Sequence, residues 1–275
     1  MDKTILFDMS ESIQALITLV PSCPIFDQAH IQHLRSMEML KLARFRRERA
    51  KQAHELCVSV GGEYQDAMMI EFKDFLISAK TALDSLAHEI CLIFSLEIPA
   101  RERSFNLFGF VTELEAKDQG FAVGIKSFCE NGDWFRYFVN LRNPQTHRGL
   151  VEIKPYAIFK LTEDMEIRAV FSKKSEEVRD IPEKKIRSIS HRQKDSPIQE
   201  IGYFLPDNPN ETDPKKLVYE KKIVLEKYID DLRTNIYSLF PICYKEATEE
   251  MNLLKKSILD GHCCYKVCRN NCSVK

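Results

Sequence analysis

The sequence predicts a mainly α-helical protein, an up-and-down helical bundle with a β-hairpin insertion and long C-terminal helices. Only nine glycines occur in 275 residues, which favours long helices over a turn-rich β-sandwich. Apolar residues recur at steps of three and four over long stretches, whereas a two-residue period is confined to one region near residue 160. Together these observations indicate packed amphipathic helices interrupted by one pair of strands.

The chain begins with residues 1–26, which we expect to be a loosely organised N-terminal lead-in closed by prolines. Asp27 can then cap a helix that runs to about Val60, where two consecutive glycines end it. The apolar residues of this helix recur at Ile31, Leu34, Leu42, Phe45, Ala53 and Leu56. Its middle, Arg44–Lys51, is strongly basic and is a candidate track for phosphates, although such runs are usually solvated faces.

The clearest helix is predicted from about Glu63 to Leu96, because no glycine or proline interrupts its apolar stripe. The stripe consists of Phe72, Phe75, Leu76, Ala79, Leu83, Leu86, Ile90, Ile93 and Phe94. Such a stripe requires partner helices, which indicates a bundle. Shorter helices are expected at Asn106–Lys117, Val123–Cys129 and Asp133–Leu141. The helical core is therefore predicted to span residues 27–150.

The apolar period changes to two in the next segment, residues 151–212. Tyr156–Leu161 and Glu166–Phe171 alternate apolar and polar residues around a turn at Thr162, Glu163 and Asp164, which predicts a β-hairpin. Residues 172–200 are rich in charged side chains, including the basic run Lys184–Lys194, and are expected to form an exposed loop.

The C-terminal part of the chain is predicted to pack further helices on the core over residues 213–260. Asp213 followed by Pro214 is typical of an N-cap and first helical position, so a helix is expected from there to about Leu239. Pro241 should interrupt it before a last helix begins. The remaining segment, residues 261–275, is a cysteine-rich tail.

Composition limits the classes of function. The formal net charge of −1 provides no global positive field, so any contact with nucleic acid must use local basic patches. We expect a cytoplasmic protein without a membrane partner, because no leader pattern or long apolar run occurs. The absence of a phosphate-cradling glycine-rich loop, a GxSxG elbow and an HExxH motif disfavours nucleotide hydrolases, α/β-hydrolases and zinc proteases.

One segment, Phe138–Leu150, carries a chemically suggestive set of residues: FVNLRNPQTHRGL. It contains Arg142, a polar neighbour in Asn143, and His147 after four intervening residues. This pattern resembles the HEPN superfamily, helical domains whose ribonucleases carry arginine, a polar residue and histidine at this spacing. Ser78–Ile90 is also similar to the long second helix of several bacterial HEPN families, and the resemblance covers roughly residues 30–150.

The resemblance implies a metal-independent endoribonuclease without a cofactor, a toxin or defence effector in which Arg142, Asn143 and His147 are catalytic. RNA supplies its own nucleophile, the 2′-hydroxyl, and a histidine can exchange protons with it or with the leaving oxygen. Arginine stays charged and can stabilise the phosphate in the transition state. HEPN domains commonly dimerise and bring two motifs into one cleft. The implied partners are therefore RNA, a second copy of the chain, and an antitoxin or regulatory protein.

The spacing of the motif requires a physical account. Five residues of a regular helix turn about 500°, which leaves Arg142 and His147 roughly 140° apart around the axis. Pro144 disfavours helical geometry at Asn143 and removes one donor, so we expect the helix to break or kink there. A kink would turn both side chains toward one cleft.

Two further residues, Arg148 and Asp84, are candidates for substrate binding, and each also has an ordinary structural explanation. Arg148 can contact substrate phosphate or pair with a surface carboxylate, and Asp84 can orient a substrate-binding group or hydrogen-bond His88 at i+4. A second match to the motif, Arg49 to His54, lies within the basic run with an alanine in place of the polar neighbour. We interpret this second match as accidental.

Two other functions remain open from the sequence. The first is a non-catalytic, HEPN-like helical module that binds a nucleotide or a partner protein. The second is a small zinc-stapled interaction protein, since four thiolates can complete a tetrahedral site. Its candidate ligands are Cys263, Cys264, Cys268 and Cys272. Their spacing differs from paired CxxC knuckles, which favours a tail with exposed thiols and no metal.

Overall fold

The computed structural model describes residues 3–20, 23–59, 64–147, 153–162, 165–170, 198–211 and 213–260. Helices dominate this part of the chain, which confirms the predicted mainly α class. The helices are α1 (Lys3–Leu19), α2 (Pro24–Ser59), α3 (Gln65–Ile93), α4 (Phe110–Glu115), α5 (Gln119–Glu130), α6 (Trp134–His147) and α7 (Leu225–Leu259). None of these helices is long and apolar enough to cross a bilayer, within the described residues.

The strands form one antiparallel sheet in the order β2-β1-β3-β4. They are β1 (Lys154–Thr162), β2 (Met165–Val170), β3 (Ile198–Leu205) and β4 (Ile223–Val224). The predicted hairpin is confirmed by the pairing of β1 with β2. It is part of a larger sheet, since β3 pairs with the other edge of β1.

The chain divides into two compact units that do not follow the order of the sequence. Unit one consists of Met1–Phe45, Phe75–Arg136 and Leu232–Lys275, and unit two of Arg46–Asp74 and Tyr137–Asp231. Unit one is helical and contains α1, α4 and α5 with parts of α2, α3, α6 and α7. Unit two contains the sheet and the remaining parts of those four helices.

The N-terminal lead-in is more ordered than we expected, because α1 occupies most of it. Four apolar side chains spaced by three or four residues are buried in unit one: Met9, Ile13, Leu16 and Val20. Helical periodicity of this kind is visible in the sequence. The expectation of loose organisation was wrong because burial of this stripe outweighs the cost of ordering the segment.

Helix α2 has the predicted length, but it packs through a different face from the one that the apolar pattern indicated. Ile31 is 56% exposed and Leu34 is 54% exposed. The buried face lies opposite and shares only Ala53 with the predicted set. It is formed by Phe26, Ala29, His33, Ser36, Leu40, Ala43, Arg47, Ala50, Ala53 and Cys57. Small residues dominate this face, which allows neighbouring backbones to approach closely. The largest apolar residues of α2 therefore do not identify its core side.

Helix α3 confirms its prediction closely. Every residue of the predicted stripe is buried, from Phe72 to Phe94. In unit one the stripe is accompanied by aromatic pairs, with Phe94 against Phe121 at 5.5 Å and Phe105 against Phe135 at 5.4 Å between ring centroids. From Phe75 onward, the side chains of this stripe form part of the core of unit one.

A buried polar network crosses the core of unit one. The carboxylate of Glu89 on α3 is fully buried and accepts hydrogen bonds from His33 Nδ1 of α2 at 3.1 Å and from the Tyr244 hydroxyl of α7 at 3.3 Å. Ser36 Oγ lies 3.0 Å from the same hydroxyl and donates to the His33 carbonyl. Burial raises the pKa of Glu89, opposed by the hydrogen bond from His33. The Glu89 carboxylate therefore links α2, α3 and α7 through hydrogen bonds.

The sheet of unit two is anchored by an aromatic stack between β1 and β3. Tyr156 and Phe204 stack with ring centroids 4.1 Å apart. Tyr156 lies opposite Gly202 in the strand register. A Cβ atom at position 202 would lie 2.5 Å from the Tyr156 ring, so the absence of a side chain there makes room for the stack.

The C-terminal helices differ from the prediction in two ways. Asp213 does act as an N-cap, with its side chain accepting from Lys215 N, but it caps only a 3-10 turn, Pro214–Lys216. The long helix α7 begins later, at Leu225, and runs through Pro241 without interruption. Proline removes one backbone hydrogen bond. Burial of Leu239, Phe240, Cys243 and Tyr244 on both sides of it offsets that loss.

Candidate functional site

The candidate motif lies in the second half of α6, and the start of that helix is well anchored. Gly132, at φ 69°, turns the chain from α5 into α6. The indole Nε1 of Trp134 donates to the Phe128 carbonyl at 2.9 Å, and the Phe135 side chain is buried. Further along, Phe138 and Leu141 are fully buried. The residues of the motif therefore continue a helix whose preceding turns are held by packing.

The expected break at Asn143 is wrong, because α6 continues through Pro144 to His147. Asn143 is consequently an exposed residue inside the helix and does not cap a new one. A proline removes only one intrahelical hydrogen bond. The buried turns around Phe138 and Leu141 stabilise the helix that leads into it.

The continuous helix determines how the motif residues are arranged. Arg142 is half-buried and its Nε atom is inaccessible to solvent, whereas Asn143 is exposed. His147 is the last residue of α6, and its side chain lies outside the described set. On a regular helix the two positions are roughly 140° apart around the axis and about 7.5 Å apart along it. Arg142 and His147 of one chain therefore do not share a helix face.

Tyr137, in the first half of α6, forms a cluster with Tyr228 and Asp207 that the sequence analysis did not assign to a site. The Tyr137 hydroxyl donates to the Pro206 carbonyl at 2.8 Å, and its ring meets that of Tyr228 edge-on at 5.2 Å. Burial and then the nearby charge of Asp207 raise the pKa of Tyr137, and burial raises that of Tyr228. The aromatic run of residues 134–138 is the sequence signal for Tyr137, and apolar periodicity along the C-terminal helix is the signal for Tyr228.

Removal of the hydroxyl group from Tyr228 and from Tyr137 should change the stability of the protein in opposite directions. The Tyr228 hydroxyl is buried without a hydrogen-bond partner among the described residues, so Tyr228→Phe is expected to stabilise the protein by about 1 kcal/mol. Tyr137→Phe loses the bond to the Pro206 carbonyl and should destabilise it by about 1 kcal/mol. Urea denaturation of both variants measures the difference, and equal effects of the same sign would contradict it.

The pH dependence of Tyr228→Phe provides a second readout. The folded-state pKa of Tyr228 is raised above its ordinary value of 10.0, so the unfolded chain releases this proton first. Wild type should therefore lose stability as the pH rises above 10, and the variant should lose less.

Asp84 belongs to unit one, whereas Arg142 and Asn143 belong to unit two. Its carboxylate accepts from the backbone N–H of Phe105 at 2.8 Å and pairs with Lys80 one turn earlier on α3. The predicted hydrogen bond between Asp84 and His88 is not formed. His88 instead lies 3.0 Å from Arg103. Asp84 thus fixes the segment that follows α3.

The basic run on α2 is largely neutralised by carboxylates of unit two. Arg46 donates to Glu71 at 2.9 Å, and Lys51 pairs with Asp230 at 3.2 Å. Arg47 is 8% exposed and also binds Asp230. Burial tends to raise the pKa of Asp230, but the bonds from Arg47 and Lys51 outweigh it and lower that pKa. This run is better explained as an ion-pair network than as a phosphate track.

Several predicted residues lie outside the described part of the chain. They are Arg148, the basic run Lys184–Lys194, and the four tail cysteines Cys263, Cys264, Cys268 and Cys272. Within the described residues, no group of three histidine, cysteine or acidic side chains is placed to hold a metal ion. Cys23, Cys57, Cys91, Cys129 and Cys243 are buried and form no disulfide.

Comparison with known proteins adds no family to these observations. The chain matches no protein-family model, no curated protein and no solved structure. The likeness to HEPN domains therefore remains a prediction from the motif in α6.

Proposed function

We propose that the chain is a metal-independent endoribonuclease that acts through Arg142 and His147 at the end of α6. The observation that supports this proposal most directly is the placement of Arg142, Asn143 and His147 within the last six residues of one helix. The buried side chains of Phe138 and Leu141 precede them and hold that helix in place. A rigid element can position catalytic groups more accurately than a loop.

The proposed reaction is an internal transesterification. His147 takes the proton of the ribose 2′-hydroxyl, whose oxygen then forms a bond to phosphorus. The bond from phosphorus to the 5′-oxygen breaks, and that oxygen receives a proton from a second acid. Arg142 donates to the phosphate oxygens as negative charge develops. The products are a 2′,3′-cyclic phosphate and a 5′-hydroxyl, and DNA is not cleaved because it lacks the nucleophile.

The site is proposed to require two copies of the chain. Because α6 is continuous, positions 142 and 147 of one copy lie on different faces of a regular helix. A symmetric homodimer would place Arg142 of one copy and His147 of the other on the same phosphate. It would also bring two histidines to one cleft, which supplies both the base and the acid. A toxin or defence role, with an inhibitory protein partner, belongs to the same proposal.

The direct test is incubation of a labelled structured RNA with the protein in excess EDTA, beside a DNA copy of the same sequence. We expect cleavage of the RNA alone, with fragments that end in cyclic phosphate by mass spectrometry. Transfer RNA, messenger RNA and ribosomal RNA serve as further substrates. If all of them remain intact, the ribonuclease proposal is wrong.

A mixing experiment tests whether the site is shared. Arg142→Ala and His147→Ala are each expected to be inactive, and denaturing and refolding them together should restore less than about a quarter of wild-type activity. Half of the refolded dimers would be mixed, and each mixed dimer would regain one Arg142 and one His147 in its cleft, with water in place of the second histidine as the acid. No recovery in mixtures that do form mixed dimers would contradict a site that one Arg142 and one His147 from different chains can form.

The alternative is a non-catalytic helical module that uses the end of α6 to bind a nucleotide or a partner protein. The partial burial of Arg142 favours it, because a half-buried guanidinium is less free to follow a reacting phosphate. Intact RNA together with Arg142-dependent binding of a nucleotide would support this second function.

A further inference from the structure

A cluster of cationic side chains in unit one is not used by the proposed ribonuclease. It is formed by Arg35 on α2, His88 on α3 and Arg103 in the segment after α3. His88 and Arg103 are half-buried, and Arg35 is exposed. The buried hydrogen bond between His33 and Glu89, at 3.1 Å, holds this part of α2 beside this part of α3. Arg35 and His88 therefore lie on neighbouring stretches of two packed helices, and Arg103 contacts His88.

The geometry defines the protonation of His88. Arg103 Nη1 lies 3.0 Å from His88 Nε2, and Arg103 Nε donates to the Ile98 carbonyl at 2.9 Å. A guanidinium can only donate, so Nε2 accepts and the ring hydrogen lies on Nδ1. Burial, then the charges of Arg103 and Arg35, lower the pKa of His88. Burial and the two positive charges therefore favour the neutral form of the imidazole.

These charges have no counter-ion within the described residues. Arg35 and Arg103 form no ion pair there. The acidic groups nearest in sequence to His88 are already engaged. Asp84 binds Lys80 and the Phe105 N–H, and Glu89 binds His33 and Tyr244. Arg103, in direct contact with His88, and Arg35 both disfavour a positive charge on that histidine, and no carboxylate of the described residues pairs with either arginine.

We propose that Arg35, His88 and Arg103 bind a phosphate group, either free phosphate or a small phosphate monoester. A dianion at this position would neutralise the two arginines and accept hydrogen bonds from both guanidiniums. It would also favour the imidazolium form of His88, in which Nε2 no longer accepts from Arg103 and its N–H can donate to the anion instead. Phosphate binding here is independent of RNA cleavage at α6.

The test is an NMR titration of the histidine side chains at constant ionic strength, with sodium chloride replaced by inorganic phosphate or by glycerol 2-phosphate. The chain has seven histidines, and His88→Gln identifies the resonances of His88. Phosphate is expected to shift these resonances and to raise the pH midpoint of His88 protonation toward the ordinary value. A shift with both anions indicates a monoester site, and a shift with inorganic phosphate alone indicates a free-phosphate site.

Matched variants separate a site from general attraction. Arg35→Gln should weaken phosphate binding about tenfold, because one charge-assisted contact is lost. Its folding should be unaffected, since Arg35 makes no hydrogen bond to the described residues. Arg101→Gln, in the same segment as Arg103 and paired only with its neighbour Glu102, is the control and should leave binding unchanged. Equal weakening by both variants, or the absence of any shift at His88, would overturn the proposal.

Discussion

Replacement of His147 by alanine is expected to lower the rate of RNA cleavage by about 10²- to 10⁴-fold, the usual contribution of a general acid or base. Arg142→Ala should cost about 10²- to 10³-fold, because a charged donor to the phosphate is lost in the transition state. Arg142→Lys keeps the charge but not the planar fork of donors, so it should recover only part of this loss. Initial rates on one labelled RNA in EDTA measure all three variants.

The second match to the motif provides a control within the same chain. Arg49 and His54 have the same spacing on α2, but Arg49 pairs with Glu71 at 3.3 Å. Arg49→Ala and His54→Ala should therefore leave cleavage unchanged. Circular dichroism of every variant checks that helicity is retained. If His147→Ala cleaves as fast as wild type, catalysis at α6 is excluded.

The double variant Arg142→Ala/His147→Ala distinguishes shared from separate roles. The effects of removing residues that act on the same phosphate are not additive. The rate of the double variant should therefore be close to that of the less active single variant. Multiplication of the two single effects would mean that the residues contribute to different steps. The mixing experiment then decides whether they belong to one chain or to two.

The largest effect on stability is expected from Glu89→Ala, which should lower the free energy of unfolding by about 3–5 kcal/mol. It leaves His33 Nδ1 and the Tyr244 hydroxyl without their shared acceptor in the buried core. Glu38→Ala on α2, an exposed position, is the matched control and should change stability by no more than about 0.5 kcal/mol. Urea denaturation followed by circular dichroism gives both values. A loss below about 1 kcal/mol for Glu89→Ala would contradict the network.

Glu89→Gln separates the contribution of the ionisable carboxyl group to stability from that of the side chain's size and shape. The folded-state pKa of Glu89 is raised above the ordinary value of 4.5, so the folded protein binds more protons than the unfolded chain between these two values. This contribution to stability is complete below pH 4.5 and is lost as the pH rises through the raised pKa. The glutamine variant should lack that dependence and should lose less stability than the alanine variant.

The sequence predicted those elements whose signal is local and continuous. Helix α3 was identified with its buried stripe because every third or fourth residue from Phe72 to Phe94 is apolar and no glycine or proline intervenes. The β1–β2 hairpin was identified from its two-residue period and short turn. In both cases the pairing partners of the backbone lie within the element or next to it in the chain.

Other elements depend on partners that are distant in sequence. β3 pairs with β1 across more than thirty residues, and its segment carries prolines and charges nearby that indicated a loop. Helix α7 passes Pro241 because buried neighbours such as Phe240 and Tyr244 compensate for the missing hydrogen bond. The helix preferences of proline reflect only the hydrogen bond that it removes from the helix. They do not include the side-chain packing that offsets this loss.

The candidate site shows the same division. The sequence supplied Arg142, Asn143 and His147, but the expected break at Pro144 did not occur. Continuity of α6 adds a reason for the two-chain cleft that the resemblance already implied, because positions 142 and 147 of one chain do not share a face of a regular helix. The phosphate-binding cluster could not be predicted at all, since Arg35, His88 and Arg103 come from three separate segments.

By itself, the sequence determined that this protein is mainly helical, that α3 is a central helix, and that a hairpin follows the motif. Only the tertiary structure decided that α2 buries its small residues and exposes Ile31 and Leu34, and that its basic run is paired with acids. It also decided that Glu89 joins three helices. The physical reason is that periodicity records the local preference of a segment, whereas burial and charge pairing depend on which distant surfaces meet it.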